Sequence, residues 1–465
     1  MNEHKGQWGS SFGFLMAAVG SAVGLGNLWG FPYKMGMGGG FAFLLLYLIL
    51  AVLVGFVIMQ GELAIGRRTG KGIIASYHTL NKKYTVLGYM AFICPILIMS
   101  FYCMLGGYCL KYAVANLGSI FNAGWGAKGA DPATFFSAFY TDPIATSAFS
   151  LIFVALTILI VMGGVKGGIE NFSKIAMPAL FVMLLLVIVR SVTLPGASEG
   201  LAFMFKPNWE VFEGTGWISV LASAGGQMFF SLSLGMGIMI TYGSYLPKKE
   251  NIEKNSIIIP IADTVVALMA GLATMPAVFA MGMEPAQGPG LLFVTLQAVF
   301  DSMGAAGPFF GFIMYTLVFI AAITSSISLL EVVVSAIIDH KQTKNKTVNR
   351  KAITLSMGIL IAALAIWVSV DGLGEGPLPH IGGFIWLDFF DLLSEGIMMP
   401  LGAMIMSLII GWKLKADWMR EEIAQDGKRW KTEKFSMFCL KIVAPIGMLF
   451  ILLGQISNFF QLGWF

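Results

Sequence analysis

About eleven apolar stretches, each about 20 residues long, constrain the fold of this chain more than any other feature of its sequence. A stretch of about 20 apolar residues is long enough to cross the hydrocarbon core of a bilayer as an α-helix. Charged residues make up only 12% of the 465 residues, whereas soluble domains carry about 25%. The chain is therefore predicted to be an all-α polytopic membrane protein without a sizeable soluble domain. The stretches lie near 12–34, 41–65, 87–116, 147–163, 173–193, 217–246, 257–282, 308–338, 352–370, 384–412 and 440–461.

Basic residues concentrate in every second connection between these stretches. The connections after the second and the eighth stretch each hold five Lys or Arg residues, whereas those after the first and the third hold isolated ones such as Lys34 and Lys128. An excess of Lys and Arg marks cytoplasmic loops. The amino terminus is therefore predicted to be cytoplasmic and, because the number of spans is odd, the carboxyl terminus to lie outside the cell (inner) membrane.

The first and sixth stretches carry helix-breaking residues at mid-span. The first contains the run Gly20–Asn27, and the sixth contains Gly235-Met236-Gly237. Glycine weakens a helix by roughly 1 kcal/mol relative to alanine, and non-helical backbone at membrane depth is tolerated only where it is buried or lines a cavity. Both spans are therefore predicted to break at mid-membrane and to form a binding site, although close glycine packing between helices is the alternative.

The two glycine pairs also indicate an internal repeat. Gly24-Leu25-Gly26 and Gly235-Met236-Gly237 lie five spans apart, and an odd number of spans per repeat inverts its topology. The pattern predicts one transmembrane domain over 1–465, with inverted repeats at about 12–193 and 217–412 and an extra helix at about 440–461. Coincidence is the alternative, because Gly-x-Gly is common in membrane helices.

Taken in order, these motifs resemble the neurotransmitter:sodium symporter family over essentially all of the first ten spans. The eleven spans and the compact outer loop after the third are similar to the prokaryotic branch. The resemblance implies a leucine-transporter-like fold and sodium-driven uptake of an amino acid by alternating access. The motifs that carry it are Trp8, Gly20–Asn27, Phe31-Pro32, Gly38–Gly40, Glu62–Arg67, Phe101-Tyr102, Phe229–Tyr245 and Thr324–Ser326.

The resemblance implies two sodium ions and no organic cofactor. The first sodium site would use the Ala22 carbonyl and the side chains of Asn27, Ser231 and Asp263, together with the substrate's carboxylate. The second would use the carbonyls of Gly20, Val23 and Ala321 with the hydroxyls of Thr324 and Ser325. Back-bonding of those hydroxyls to their own helix is the alternative reading of Thr324 and Ser325.

Asp263 is the single residue of the sequence that indicates a functional site most specifically. An ionisable side chain at mid-span is a functional-site hypothesis by default. Animal members of the resembled family place an asparagine near this position and use chloride to balance charge. We therefore expect Asp263 to supply the negative charge at the first sodium site and transport to be independent of chloride.

The resemblance also implies a substrate site at the two breaks. Backbone N–H groups near Leu25 and Gly26 and the Tyr102 hydroxyl would bind the substrate carboxylate. Met236 replaces an aromatic residue that is common in the family, and its adaptable side chain favours neutral hydrophobic or aromatic L-amino acids. A small amine or another zwitterionic solute is the alternative substrate. The implied substrate residues are Ala22, Val23, Gly24, Leu25, Gly26, Ile98, Tyr102, Phe230, Ser231, Ser233, Met236, Ser325 and Leu329.

The gates depart from the family pattern on the outer side. Many members have an arginine at the position of Gly30, paired with an acid that matches Asp391. Outer closure is therefore expected to rest on residues such as Trp29. The inner gate would use Lys5, Trp8, Tyr245 and Asp339. Glu62 would accept hydrogen bonds from the broken backbone of the first or sixth span. The segment from Gly168 to Pro178 in the fifth span would either unwind or form a static proline kink.

No catalytic constellation is evident. The four histidines fall in loops or at span ends, without the spacing of metal ligands or of a nucleophile and base. An enzyme is therefore not expected, and an ion channel is disfavoured because no filter repeat is present. The expected partners are an amino-acid substrate and the lipid bilayer, without nucleic acid, in a monomer or weak homodimer.

Overall fold

The computed structural model describes residues 6–285, 288–425 and 429–464. Within these ranges, nine helices are long and apolar enough to cross a membrane. In chain order we call them span 2 (Phe41–Thr69), span 3 (Lys82–Ile120), span 4 (Pro143–Met162), span 5 (Val165–Val192), span 7 (Ile252–Ala280), span 8 (Gly304–Thr343), span 9 (Arg350–Gly374), span 10 (Trp386–Ile423) and span 11 (Glu433–Phe459). The all-helical polytopic fold predicted from the sequence is confirmed.

Span 1 is broken, as the glycine-rich run predicts. It consists of Ser11–Ala22 and Gly26–Met37, which meet at an angle of 45°. Val23 ends the first half in an extended conformation, with φ of −78° and ψ of 103°. A Cβ atom on Gly24 would lie 2.4 Å from Ser325 Oγ and 2.6 Å from Tyr102 Oη. Glycine is therefore required at the break because two side chains approach the backbone there.

Span 6 is broken over residues 232–237. It comprises the helices Gly216–Ser231 and Ile238–Gly243, of 16 and 6 residues, each too short to cross a bilayer alone. Ser233, Gly235 and Gly237 have positive φ angles of 56°, 78° and 81°. With span 1, the described residues hold ten spans by length and composition, so the eleven expected from the sequence are reached only if this pair is counted as one further, interrupted span. Glu62 of span 2 supports the break, because its Oε1 accepts a hydrogen bond from the backbone N–H of Gly235 at 2.8 Å.

The spans differ in how deeply they are enclosed. In span 8, 89% of the most apolar window is buried, compared with 33% in spans 4 and 5. Span 8 therefore lies at the centre of the bundle, and spans 4 and 5 present apolar side chains at its perimeter. The central position of span 8 brings Thr324 and Ser325 to the break in span 1.

The amino-terminal end of span 5 is wound in this structure. Val165–Glu170 forms a wide π-type turn that continues into the α-helix Asn171–Val192, which contains Pro178. A Cβ atom on Gly168 would lie 1.9 Å from the carbonyl oxygen of Ile160, so this glycine allows close packing on span 4. The unwinding expected between Gly168 and Pro178 stays a prediction, as do the repeat boundaries and the orientation in the membrane.

Candidate substrate and ion sites

A cavity lies between the two broken spans. Every substrate residue expected from the sequence lines it except Val23, Leu25 and Ser231. Ser21 and Ile238 line it as well, although sequence reasoning missed them. The complete lining is Ser21, Ala22, Gly24, Gly26, Ile98, Tyr102, Phe230, Ser233, Met236, Ile238, Ser325 and Leu329.

The cavity lining is uncharged. One part is apolar and consists of Ile98, Phe230, Met236, Ile238 and Leu329. The rest offers serine hydroxyls, the Tyr102 hydroxyl and backbone of the first break. Such a lining can bind the two ends of a zwitterion through polar groups and enclose an apolar side chain, whereas a charged side chain would be buried without a partner of opposite sign.

Tyr102 is tied to the break in span 1. Its Oη accepts a hydrogen bond from the backbone N–H of Leu25 at 3.1 Å, and its ring lies 6.3 Å from the ring of Phe230. Because the phenolic oxygen accepts from Leu25, its own proton remains available for a second oxygen atom. The Leu25 N–H, expected to reach the substrate directly, is instead occupied by Tyr102.

Asp263 of span 7 forms a buried cluster with three neutral side chains. Its carboxylate accepts hydrogen bonds from Asn27 Nδ2 at 2.8 Å, from Ser231 Oγ at 2.9 and 3.0 Å, and from Tyr47 Oη at 3.0 Å. All four residues are at most 1% exposed. The structure thus brings together Asn27, Ser231 and Asp263, three of the four protein groups expected at the first sodium site.

The cluster fits a small hard cation. Carboxylate and hydroxyl oxygens are ligands that such ions prefer, and the side chains that contact Asp263 carry no positive charge to balance it. Asn27 directs its amide nitrogen at Asp263, and its amide oxygen accepts a hydrogen bond from the backbone N–H of Gly24 at 3.2 Å. Ala22, the fourth expected ligand, ends the first half of span 1 and lines the adjoining cavity. Tyr47 was missed because an aromatic residue within the apolar run 41–50 is indistinguishable from a packing residue.

The groups expected at the second sodium site also converge. Thr324 Oγ1 lies 2.8 Å from the Ala321 carbonyl oxygen and 3.5 Å from that of Val23. Ser325 Oγ lies 3.5 Å from the carbonyl oxygens of Gly20 and Val23. The hydroxyls therefore bridge from span 8 to the broken end of span 1 instead of bonding only within their own helix. The Ser21 carbonyl, 3.0 Å from Ser325 Oγ, is an oxygen that sequence reasoning missed.

Gln227 occupies the space beside Gly30. Its Nε2 donates a hydrogen bond to the Gly26 carbonyl at 2.7 Å, and its Oε1 lies 3.0 Å from where a Cβ on Gly30 would be. The absence of a side chain at position 30 is therefore compensated by an amide from span 6. The sequence signal that could have identified Gln227 is a polar residue within an otherwise apolar span.

The side of the bundle that is predicted to face outward is held by contacts between distant segments. Lys34 of span 1 forms an ion pair with Glu395 of span 10. Trp29 stacks on Tyr33 and donates a hydrogen bond through Nε1 to the Gly288 carbonyl at 3.1 Å. Asp391 lies one turn before Glu395 and interacts electrostatically with Lys34. Sequence reasoning identified Trp29 and Asp391 but missed Lys34 as the cation that faces the acidic residues.

The side of the bundle that is predicted to face the cytoplasm is closed around Trp8. Its Nε1 donates to the Tyr242 carbonyl at 3.1 Å, and its ring packs edge-on against Phe14, Tyr242 and Tyr245. Tyr245 donates to Glu331 at 2.7 Å. Lys5, the expected basic gate residue, lies outside the described residues.

Other polar contacts on this predicted cytoplasmic side involve residues that the sequence did not single out, together with the expected gate residue Asp339. Glu331 forms an ion pair with Arg350. Glu170 accepts hydrogen bonds from the Gly9 N–H at 2.6 Å and from Lys174 at 2.5 Å. Asp339, an expected gate residue, accepts a hydrogen bond from the backbone N–H of Gly72.

Comparison with known proteins gives one consistent result. Residues 5–127 and 144–464 match the profile of the Sodium:neurotransmitter symporter family. The chain is 35% identical over 464 residues to "Uncharacterized sodium-dependent transporter YhdH" of Bacillus subtilis, covering 98% of this chain and 99% of that protein. It is 33% identical over 475 residues to an "Uncharacterized sodium-dependent transporter" of Haemophilus influenzae, covering 99% of both. Among solved structures, MhsT in complex with L-phenylalanine matches with a TM-score of 0.87 and 38% identity, covering 97% of this chain and 100% of that one.

Proposed function

Because the chain belongs to the Sodium:neurotransmitter symporter family, we propose that it is a symporter that imports neutral hydrophobic or aromatic L-amino acids with sodium, by alternating access. Membership makes the protein a multi-pass, sodium-dependent membrane transporter and not an enzyme. The amino-acid class, the coupling to two ions and the independence from chloride are the finer parts of the proposal.

The observation that carries the proposal is the position of the uncharged cavity between two broken spans. Ala22 lines the cavity and is also expected at the first sodium site, whereas Ser231 and Asn27 lie in the adjoining Asp263 cluster. An amino acid bound at the breaks therefore places its carboxylate beside that cluster. The similar protein MhsT has been solved with L-phenylalanine bound, which supports an aromatic substrate here.

The two ends of the substrate face different groups in this arrangement. The Tyr102 hydroxyl and the amino end of Gly26–Met37 suit a carboxylate, because a helix amino end carries partial positive charge. Carbonyl and hydroxyl oxygens around Ser21 and Ser233 suit the ammonium group. The side chain then faces Ile98, Met236 and Leu329.

Sodium couples to the substrate through shared oxygens in this proposal. A sodium ion beside Asp263 would contact the substrate carboxylate, so each would bind more tightly in the presence of the other. A second ion at Thr324 and Ser325 would hold span 8 against the broken end of span 1. Asp263 supplies the negative charge at the first site, which makes chloride unnecessary there.

Uptake of labelled phenylalanine into proteoliposomes tests the proposal. We expect uptake that requires an inward sodium gradient, competition by leucine and tryptophan, and no competition by glutamate or lysine. Replacing chloride with gluconate should leave the rate unchanged. Potent competition by charged amino acids would refute the substrate class.

Methyl esters of the same amino acids separate the proposal from its alternative. They lack the free carboxylate that would complete the first sodium site, so they should fail to compete. Competition as strong as that of the free acids would favour a transporter for amines of the same fold.

A further inference from the structure

Spans 10 and 11 cross closely on the side of the bundle that is predicted to face the cytoplasm. A Cβ atom on Gly411 of span 10 would lie 3.0 Å from Lys441 Cγ of span 11, so the two helices are in contact there. Trp412 Nε1 donates a hydrogen bond to the Lys441 carbonyl at 3.1 Å. Pro445, four residues after Lys441, has no N–H for this carbonyl, so the indole supplies a donor from the neighbouring span. The crossing therefore holds Trp412 beside Lys441.

The crossing lies at the boundary of two apolar stretches. Trp412 is the last residue of the stretch near 384–412, and Lys413 follows it directly. Lys441 is the second residue of the stretch near 440–461. Tryptophan is enriched where the hydrocarbon meets the headgroups, and lysine in the cytoplasmic loops beyond it. The two lysines therefore lie at the depth of the lipid headgroups, on the same side of the membrane.

Apolar side chains surround these lysines on the outside of the bundle. Trp412, Phe438 and Ile442 are 59%, 55% and 45% exposed. Phe438, Lys441 and Ile442 are spaced by three and four residues, which places them on one face of span 11. A soluble anion gains nothing from an exposed apolar face, whereas a phospholipid carries acyl chains next to its phosphate. The surroundings of the lysines therefore favour a lipid over a free phosphate.

Among the described residues, no carboxylate forms an ion pair with Lys413 or Lys441. The acidic residues that follow them most closely on these two helices, Asp417 and Glu433, both pair with Arg420. Other cations near span ends on this side do have acidic partners: the pairs are Arg67–Glu422, Lys174–Glu170 and Arg350–Glu331. The crossing thus presents positive charge that the described part of the chain does not neutralise.

We propose that Lys413 and Lys441 bind the phosphate of an anionic phospholipid in the leaflet predicted to be cytoplasmic, with Trp412 and Phe438 against its acyl chains. An ammonium–phosphate contact is a charge-assisted hydrogen bond, and basic sites at the ends of membrane helices recognise anionic headgroups. The bound lipid joins the ends of spans 10 and 11 from outside the bundle. The site is separate from the cavity and requires neither sodium nor an amino acid.

Native mass spectrometry of the delipidated full-length protein measures lipid binding directly. Dioleoylphosphatidylglycerol and dioleoylphosphatidylcholine are titrated separately, and the dissociation constant of the first bound lipid is compared. The variants are Lys413→Gln, Lys441→Gln, their combination, and the conservative Lys413→Arg combined with Lys441→Arg. Lys346→Gln combined with Lys351→Gln is the matched control, because both lysines are exposed near the start of span 9 on the same predicted side.

The unmodified protein should bind phosphatidylglycerol roughly thirtyfold more tightly than phosphatidylcholine, since each lysine near an anionic headgroup contributes roughly fivefold. Each single loss of charge should weaken phosphatidylglycerol binding by roughly fivefold, and the double loss by roughly thirtyfold. The double arginine variant should bind like the unmodified protein. Binding of phosphatidylcholine should stay the same in every variant. Glycerol phosphate, which has the charge but no acyl chains, should not compete.

Equal binding of the two lipids would overturn the proposal, and so would lysine variants that bind phosphatidylglycerol like the control. Competition by glycerol phosphate would indicate a site for a soluble anion and overturn the lipid. The variants should unfold at the same temperature as the unmodified protein in lipid-free detergent, because neither lysine loses an ion-pair partner within the described chain. The comparison of the two lipids uses only the unmodified protein, so it decides the proposal even if a variant fails to fold.

Discussion

Replacing Asp263 with asparagine removes the one negative charge in the cluster at the first sodium site while leaving its shape nearly unchanged. The carboxylate is fully buried and accepts hydrogen bonds from Asn27, Ser231 and Tyr47, all of which are neutral. A bound sodium ion would then face a site without a compensating charge. Leaving one member of a buried charge pair without its partner costs about 3 kcal/mol, so sodium should bind roughly 100-fold more weakly in Asp263→Asn.

The effect on stability has the opposite sign in the absence of sodium. Without a cation, the buried carboxylate is desolvated and paired only with neutral donors, whereas an amide avoids the cost of burying a charge. Asp263→Asn should therefore unfold at the same or a higher temperature in sodium-free buffer. A merely disruptive substitution would lower stability in both conditions.

Thermal unfolding at increasing sodium concentration measures both effects in one experiment. An ion at a concentration of 100 times its dissociation constant stabilises a one-site protein by about 2.7 kcal/mol. At a concentration equal to the dissociation constant, the stabilisation is about 0.4 kcal/mol. In Asp263→Asn, sodium binding at the first site should therefore stabilise the protein much less, whereas sodium binding at the second site should stabilise it as before. Glu210→Gln, at an exposed glutamate, is the matched control. The reasoning is refuted if Asp263→Asn responds to sodium like that control, or if it loses stability in sodium-free buffer.

Three further substitutions probe other parts of the site. Tyr47→Phe deletes one donor to Asp263 and should weaken sodium-dependent phenylalanine binding by about 1.5 kcal/mol, measured by scintillation proximity; an unchanged affinity would show that this hydrogen bond does not contribute. Gly24→Ala should abolish uptake in proteoliposomes with normal expression, since its Cβ would lie 2.4 Å from Ser325 Oγ; retained uptake would mean that the break can shift. Glu170→Gln should speed hydrogen exchange at residues 9–14, because the carboxylate holds the Gly9 N–H, with Glu199→Gln as control; equal exchange in both would argue against this contact as a restraint.

The breaks and the ion sites could be anticipated from the sequence to different degrees. The glycine pairs in spans 1 and 6 predicted both breaks because helix propensity and the need to pair backbone groups in a membrane are local properties. The ligand sets were implied by motif resemblance, and the structure brings Thr324 and Ser325 to Val23 as expected. Leu25 departs from expectation, because its N–H is bonded to Tyr102 in this structure.

Length, hydropathy and glycine placement along the chain determine that this protein is a bundle of membrane-spanning helices with two interrupted ones. Each of these signals acts within a few turns of helix, so it can be read without knowing which segments become neighbours. The contacts of Tyr47 with Asp263 and of Lys34 with Glu395 join residues 216 and 361 positions apart. Only the packing of spans 2, 7, 1 and 10 decides those contacts, because an aromatic residue in an apolar run and a lysine at a span end carry no local mark of their distant partners.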